Sequence, residues 1–262
     1  MFSWIFNYPT WAMGMLFAFG SMGLSLGFMF LVRPLFHKWI HHNDKTNEMV
    51  SLNIASFSVF YGILLGLVAV GVYANYASTQ DVVEREASSV AALYSDTIAL
   101  PEPHRSILLT DLREYAKVTI EKDWPAMAKG KVPVGGTLAL GTYQTHLADV
   151  HPTTKPDEIA YAECLGQYEK LVELRSSRLV RVTQGTPDIL WWVLGIGAAL
   201  TIGIIWMLNM EAHVHAILTA VLSLFVGIVI FLIADMDRPF RGEGFVGPDP
   251  YVLVYDSLMK AR

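Results

Sequence analysis

Four stretches of the chain are apolar and free of Asp, Glu, Lys and Arg: residues 11–32, 52–75, 189–208 and 214–234. The second is interrupted by polar Asn53, Ser56 and Ser58. A bilayer core of roughly 30 Å takes about 20 helical residues to cross, so each stretch is long enough for one passage. Their side chains are apolar on all sides, a pattern suited to lipid or protein on every face. The pattern predicts four transmembrane helices. The first reads as a retained span and not a secretory signal: residues 1–10 hold no Lys or Arg, the apolar run is too long, and no small-x-small cleavage site follows. Aromatic residues sit where interfacial anchors are expected, with Trp4, Tyr8 and Trp11 at one end of the first span, Trp39 beyond the other, and Trp191 and Trp192 heading the third.

Between the second and third spans the period changes. Residues 79–100 lack Pro and Gly and place Val82, Val83, Ala87, Val90, Ala91, Tyr94 and Ile98 on one stripe at helical spacing. The second span therefore continues out of the bilayer as helix until Pro101 and Pro103 stop it. A further helix over 103–129 would bury Ile107, Leu108, Leu112, Tyr115, Ala116 and Ile120. A Gly- and Pro-containing turn follows at 130–136, then a short helix and a loop at 151–156. A long helix over 157–183 is broken by Gly185 and Pro187 ahead of the third span. The expected division is 1–76 for the first two spans, 77–187 for a helical domain, 188–235 for the last two spans and 236–262 for a tail. The fold class is all-α, an integral membrane protein with a cytoplasmic helical bundle between spans two and three.

Composition sharpens this. Of 262 residues, 53% are hydrophobic and 16% charged, against about a quarter charged in soluble domains. Mean hydropathy is +0.39. The net charge of −5 and pI near 5.9 give no field for nucleic acid, so no nucleic-acid partner is expected. The single cysteine, Cys164, excludes a disulfide framework and a multi-cysteine metal site. Basic residues set the orientation. Arg85, Arg175, Arg178, Arg181, Arg238 and Arg241 fall on the side shared by both termini and the helical domain, against Arg33, Lys38 and Lys45 on the other. Both termini are expected in the cytoplasm.

No nucleotide loop, nucleophile elbow, zinc-protease helix or paired-cysteine spacing is present, so neither an enzyme nor a cofactor is expected. Five of the eight histidines fall on the outer side, at His37, His41, His42, His213 and His215. His37, His41, His213 and His215 fit a metal or proton-sensing site, but a set of solvated interfacial side chains is the simpler reading. Small residues recur at helix-packing spacing in Gly23-x-x-x-Gly27, Gly62-x-x-x-Gly66 and Gly195-x-x-x-Ala199-x-x-x-Gly203. On the second span Val59, Ile63 and Leu67 stack about 6 Å apart along the axis. Asn53 and Ser56 precede them as a polar outer mouth. Such a helix fits a pore with an aliphatic constriction, and it fits a packing seam as well. The span interiors lack Asp, Glu, Lys and Arg, which speaks against a coupled pump and suits a passive pathway. Arg238 and Arg241, at the inner end, could concentrate anions or simply anchor the last helix.

These residues resemble a known family. Asp237-Arg238-Pro239-Phe240-Arg241-Gly242 after the last span is similar to the Asn/Asp-x-Pro-Phe-Gly segment of bestrophins, and Leu65-Gly66-Leu67 is similar to the end of their neck. Closer is the resemblance to bacterial bestrophin-like domain proteins. It is carried by Glu84-Arg85-Glu86-Ala87-Ser88, Tyr94, Tyr115, Asp123-Trp124-Pro125-Ala126-Met127, Arg175-x-x-Arg178-Leu179 and Pro187-Asp188-Ile189-Leu190-Trp191. The resemblance implies a homo-oligomeric anion channel, pentameric as in bestrophins, passing chloride-like anions along the second span with Val59, Ile63 and Leu67 as its neck. Its partners would be the lipid bilayer, copies of itself and permeant anions, and its place the bacterial inner membrane. Residues 241–249 carry too few carboxylates for a calcium cage of roughly six to eight oxygens, so calcium gating is not expected. The bestrophin neck is lined by phenylalanines and opens at a proline, whereas the stack here is aliphatic, so pore width and selectivity do not carry over. Two other readings stay open: a non-conducting scaffold or regulatory protein that binds a cytoplasmic partner, and a small-solute carrier.

Overall fold

The computed structural model describes residues 8–40, 45–242 and 246–260, without the side chains of 35–40, 45 and 46. Among the described residues every regular element is helical. The helices are α1 (Thr10–Ile40), α2 (Lys45–Thr97), α3 (His104–Val118), α4 (Trp124–Ala128), α5 (Gly135–Ala148), α6 (Lys155–Thr183), α7 (Asp188–Ile205), α8 (Ala212–Met236) and α9 (Asp249–Val254). Two π-helical turns, Thr119–Asp123 and Tyr255–Met259, precede α4 and follow α9. Four of the described helices are long and apolar enough to cross a membrane, and they fall on the four predicted runs. α1 continues through Pro34 beyond the expected end, and α2 is one helix of 53 residues, since no proline interrupts it.

The chain forms two compact units, Met1–Ala74 with Thr186–Asp237, and Asn75–Gly185 with Arg238–Arg262. In the first unit, α1 lies along α8. The approach is closest where Gly227 meets α1: a Cβ there would stand 2.2 Å from the Ser21 hydroxyl and 2.6 Å from the Phe17 carbonyl oxygen. Ser21 Oγ also lies 2.8 Å from the Ser223 carbonyl oxygen, a polar clasp of the kind that replaces hydrophobic driving force in lipid. On the other side Gly197 of α7 receives the Tyr61 ring of α2, and the Tyr61 hydroxyl donates to the Leu194 carbonyl at 3.0 Å. At one end, Asn47 exchanges two 2.8 Å hydrogen bonds with the Asn209 backbone, and Arg33 donates to the Met210 carbonyl.

The glycines that pack helices within the protomer are thus Gly197 and Gly227, together with Gly14 against Phe231, and not those at the regular spacings. Gly23, Gly27, Gly62, Gly66, Gly195 and Gly203 face open space, because the spacing records a small face without recording which neighbour it meets. Gly227→Ala is expected to force α1 from α8 and lower stability by about 1–3 kcal/mol, read as a fall in melting temperature of the detergent-solubilised protein. Gly23→Ala, in open space, should leave the melt unchanged.

The second unit is a helical bundle. From α2 it buries Val83, Ala87, Val90, Leu93 and Tyr94, and from α3 Leu108, Leu112, Tyr115 and Ala116. Ile98 and Ile107, expected in this core, are 51% and 41% exposed. Leu93 and Leu100 take the buried positions instead, as the α-helix ends at Thr97 and the stripe turns away from Ile98. The expected helix over 103–129 is a composite: α3 passes through a π turn into α4, with Pro125 in the first turn of α4, where its missing N–H costs little. α6 begins two residues early, at Lys155, because Thr154 and Asp157 form a capping box. The segment after α8 is no loose appendage. Phe240, Val246, Tyr251 and Met259 are buried in the bundle core, and Trp124 Nε1 donates to the Val246 carbonyl at 3.0 Å.

Candidate functional site

α2 carries the candidate pore residues. Tyr61, Leu65 and Val72 turn inward and are buried. Val59, Ile63 and Leu67 lie on the opposite side, 61%, 57% and 68% exposed in the protomer. Gly62 and Gly66 beside them meet no neighbour, and Val70 extends the uncovered face. Toward the N-terminal end Asn53 and Ser56 are exposed, and the Asn53 amide donates back to the Met49 carbonyl at 3.0 Å. An apolar cleft of about 290 Å³ runs beside this helix, walled by Phe57, Phe60 and Leu64 of α2 and Val193, Ile196 and Leu200 of α7. The structure therefore brings the three stacked residues together on a single face that the protomer itself does not cover.

The histidines are less unified. His213 is exposed, with Nε2 3.3 Å from Glu211, whereas His215 is buried with Nε2 3.0 Å from the Ile205 carbonyl. The His37 side chain and the whole of His41 and His42 lie outside the described residues. Among the described residues no group of three or more His, Cys, Asp or Glu could hold a metal. Arg238 donates to the Thr183 and Gln184 carbonyls at 2.9 and 3.3 Å, where it closes the end of α6. A cation suits that position, since the last carbonyls of a helix carry partial negative charge. Burial first, and the like charge of Arg238 second, press the Arg241 pKa downward.

An ionic core inside the second unit escaped the sequence reading. Arg178 is fully buried and grips Glu86 through two bonds, Nε to Oε2 at 2.5 Å and Nη2 to Oε1 at 3.0 Å. Its guanidinium lies 4.8 Å from the Trp124 ring centre, and its Nη1 is 3.1 Å from the Met127 sulfur. The Tyr115 hydroxyl donates to Glu86 at 3.2 Å and sits 3.3 Å from that of Tyr251. Burial first, and the Glu86 charge second, raise the pKa of both phenols, which keeps them protonated as donors. A second pair joins Arg175 to Asp123 at 3.3 Å, and the Asp123 carboxylate also accepts the Gly136 N–H. A Cβ at Gly136 would stand 2.6 Å from Asp123, so this approach needs a glycine. Arg175 and Arg178, expected among the membrane-flanking charges, serve instead as internal counter-ions to Asp123 and Glu86.

Four membrane-length apolar helices and an intervening helical bundle with its own buried ionic core define an all-α integral membrane protein. The sequence of residues 19–251 matches the Bestrophin-like domain, and the chain belongs to that family. Its fold is similar to that of a bacterial Bestrophin homolog from Klebsiella pneumoniae, seen in crystal structures of single-residue variants. One superposes with a TM-score of 0.69 at 10% identity, covering 94% of this chain and 99% of that one. Another gives 0.67 at 10% identity, covering 92% and 97%. A crystal structure described only as that of a membrane protein, also a single-residue variant, gives a TM-score of 0.69 at 10% identity with coverage of 94% and 99%. No curated protein matches the chain in sequence.

Proposed function

We propose that the protein is a passive, anion-selective channel, assembled as a homo-oligomer, most simply a pentamer, with α2 lining the pore. The observation that carries this reading is the uncovered aliphatic face of α2, with Val59, Ile63 and Leu67 each more than half exposed in an isolated protomer. Membership of the Bestrophin-like family supports it. In a ring of copies those residues form three apolar constrictions, one above another. A large, weakly hydrated anion sheds water at less cost than a small cation, so an aliphatic ring favours chloride-like ions. Whether the ring stays wet sets conduction. Asn53 and Ser56 form the outer mouth, and Arg238 and Arg241 add positive potential at the inner end. Purified protein in liposomes is expected to pass chloride down its gradient without calcium. A sealed vesicle with no chloride flux at any pH would leave a scaffold in its place.

In this reading both termini and the bundle face the cytoplasm of a bacterial inner membrane. Cys164 makes the topology testable, because it is fully buried and burial pushes its thiol up to about 11, so it stays protonated and unreactive near neutral pH. His213→Cys should be labelled by a membrane-impermeant maleimide in intact spheroplasts, and Ser106→Cys only after lysis. The reverse pattern would invert the orientation.

A further inference from the structure

A polar groove of about 530 Å³ opens in the second unit between α2 and α6. Asn75 and Ser78 come from α2, Ser176, Ser177 and Arg181 from α6, and Gln184 from the residue that ends it. Its lining holds three hydroxyls, two amides, one guanidinium and no carboxylate. Arg181 is held in place by neutral oxygens alone: Nη1 donates to Thr79 Oγ1 at 3.3 Å and Nη2 to Ser78 Oγ at 3.1 Å. Thr79 is buried, and its hydroxyl donates in turn to the Asn75 carbonyl at 2.8 Å, which fixes the acceptor that orients the guanidinium. The nearest acid along α2, Asp81, is engaged by Arg85 at 3.0 Å.

We infer that this groove binds a phosphate group. A guanidinium held by neutral partners keeps its charge for a ligand, and a tetrahedral oxyanion can accept from a planar fork and several hydroxyls together. The groove is much larger than a halide requires. Its place in the chain suits a membrane-surface ligand: Asn75 closes the apolar run of α2, and Gln184 stands five residues before the third run. Basic pockets at that level take the headgroups of anionic lipids, and the same donors would accept free phosphate.

The test uses the full-length protein in neutral detergent and two probes, phosphatidylglycerol followed by native mass spectrometry and inorganic phosphate followed by calorimetry. Wild type is expected to bind at least one of them, and Arg181→Gln to weaken that binding roughly tenfold. Ser177→Ala should weaken it roughly threefold. Arg181→Lys, which keeps the charge without the fork, should fall between wild type and Arg181→Gln, and it serves with Ser177→Ala if Arg181→Gln does not fold. Retention of phosphatidylglycerol alone assigns the site to a lipid headgroup, and binding of phosphate alone to a soluble anion. If wild type binds neither, or the variants bind as wild type does, the inference is overturned. Binding is read without ion flux, so its result is independent of whether the protein conducts.

Discussion

Arg178→Ala is expected to be the most damaging single substitution in the protein, costing about 3–5 kcal/mol. The side chain is fully buried, and its loss leaves Glu86, also fully buried, as an unpaired carboxylate with only the Tyr115 hydroxyl as donor. It also removes the cation stacked on Trp124, the residue that ties the post-α8 segment to the bundle through Val246. Arg178→Lys restores charge but not the two-pronged grip, and should recover only part of the loss. The informative comparison is the double variant Glu86→Leu with Arg178→Met. A buried pair is expensive to desolvate, so replacing both members with apolar groups should destabilise less than removing Arg178 alone. Thermal unfolding of the four proteins in detergent checks the order. An Arg178→Ala melt within a degree of wild type would mean that the pair is solvated in the assembled protein.

The buried pair marks the boundary between what the sequence of this fold makes legible and what only its packing does. The spans were legible because lipid imposes a uniform demand over 20 residues, and α2 and α6 because their apolar positions repeat at helical intervals. A charge on a buried stripe breaks that pattern only if the stripe is already known. Glu86 falls three residues after buried Val83, and Arg175 and Arg178 continue the spacing of Cys164, Tyr168 and Leu171. That periodicity is the signal the sequence carries, and the position of both arginines shortly before the third span gives it a second meaning as membrane-flanking charge. The pairing of Glu86 with Arg178, 92 residues apart, depends on tertiary geometry that no local pattern encodes. The glycines illustrate the same limit: spacing selected Gly62 and Gly66, which face open space, over Gly197 and Gly227, which receive Tyr61 and Ser21. For the candidate pore, the stack of Val59, Ile63 and Leu67 followed from helical rise, but which side of α2 stays uncovered required the packing of Tyr61 and Leu65 against their neighbours.

Ile63→Ala is expected to raise chloride conductance on the order of tenfold, equivalent to about 1.4 kcal/mol removed from the barrier. Ile63 is the middle of the three stacked residues, and an apolar constriction obstructs ions chiefly by excluding the water that must accompany them. Two effects are mixed in that variant, because alanine both widens the ring and exposes more backbone to water. Ile63→Thr separates them, since it keeps the β-branch and so opens the ring less than alanine does, while placing a hydroxyl on the wall. If wetting sets the barrier, threonine should raise conductance almost as far as alanine; if width sets it, alanine alone should. Phe60→Ala is the control, since Phe60 is also exposed but walls the cleft beside α7 and so should leave conductance near wild type. Single-channel recording in planar bilayers measures all three. Wild-type conductance in both Ile63 variants, with the assembly intact, would turn this face of α2 toward lipid or another helix and remove it from the ion path.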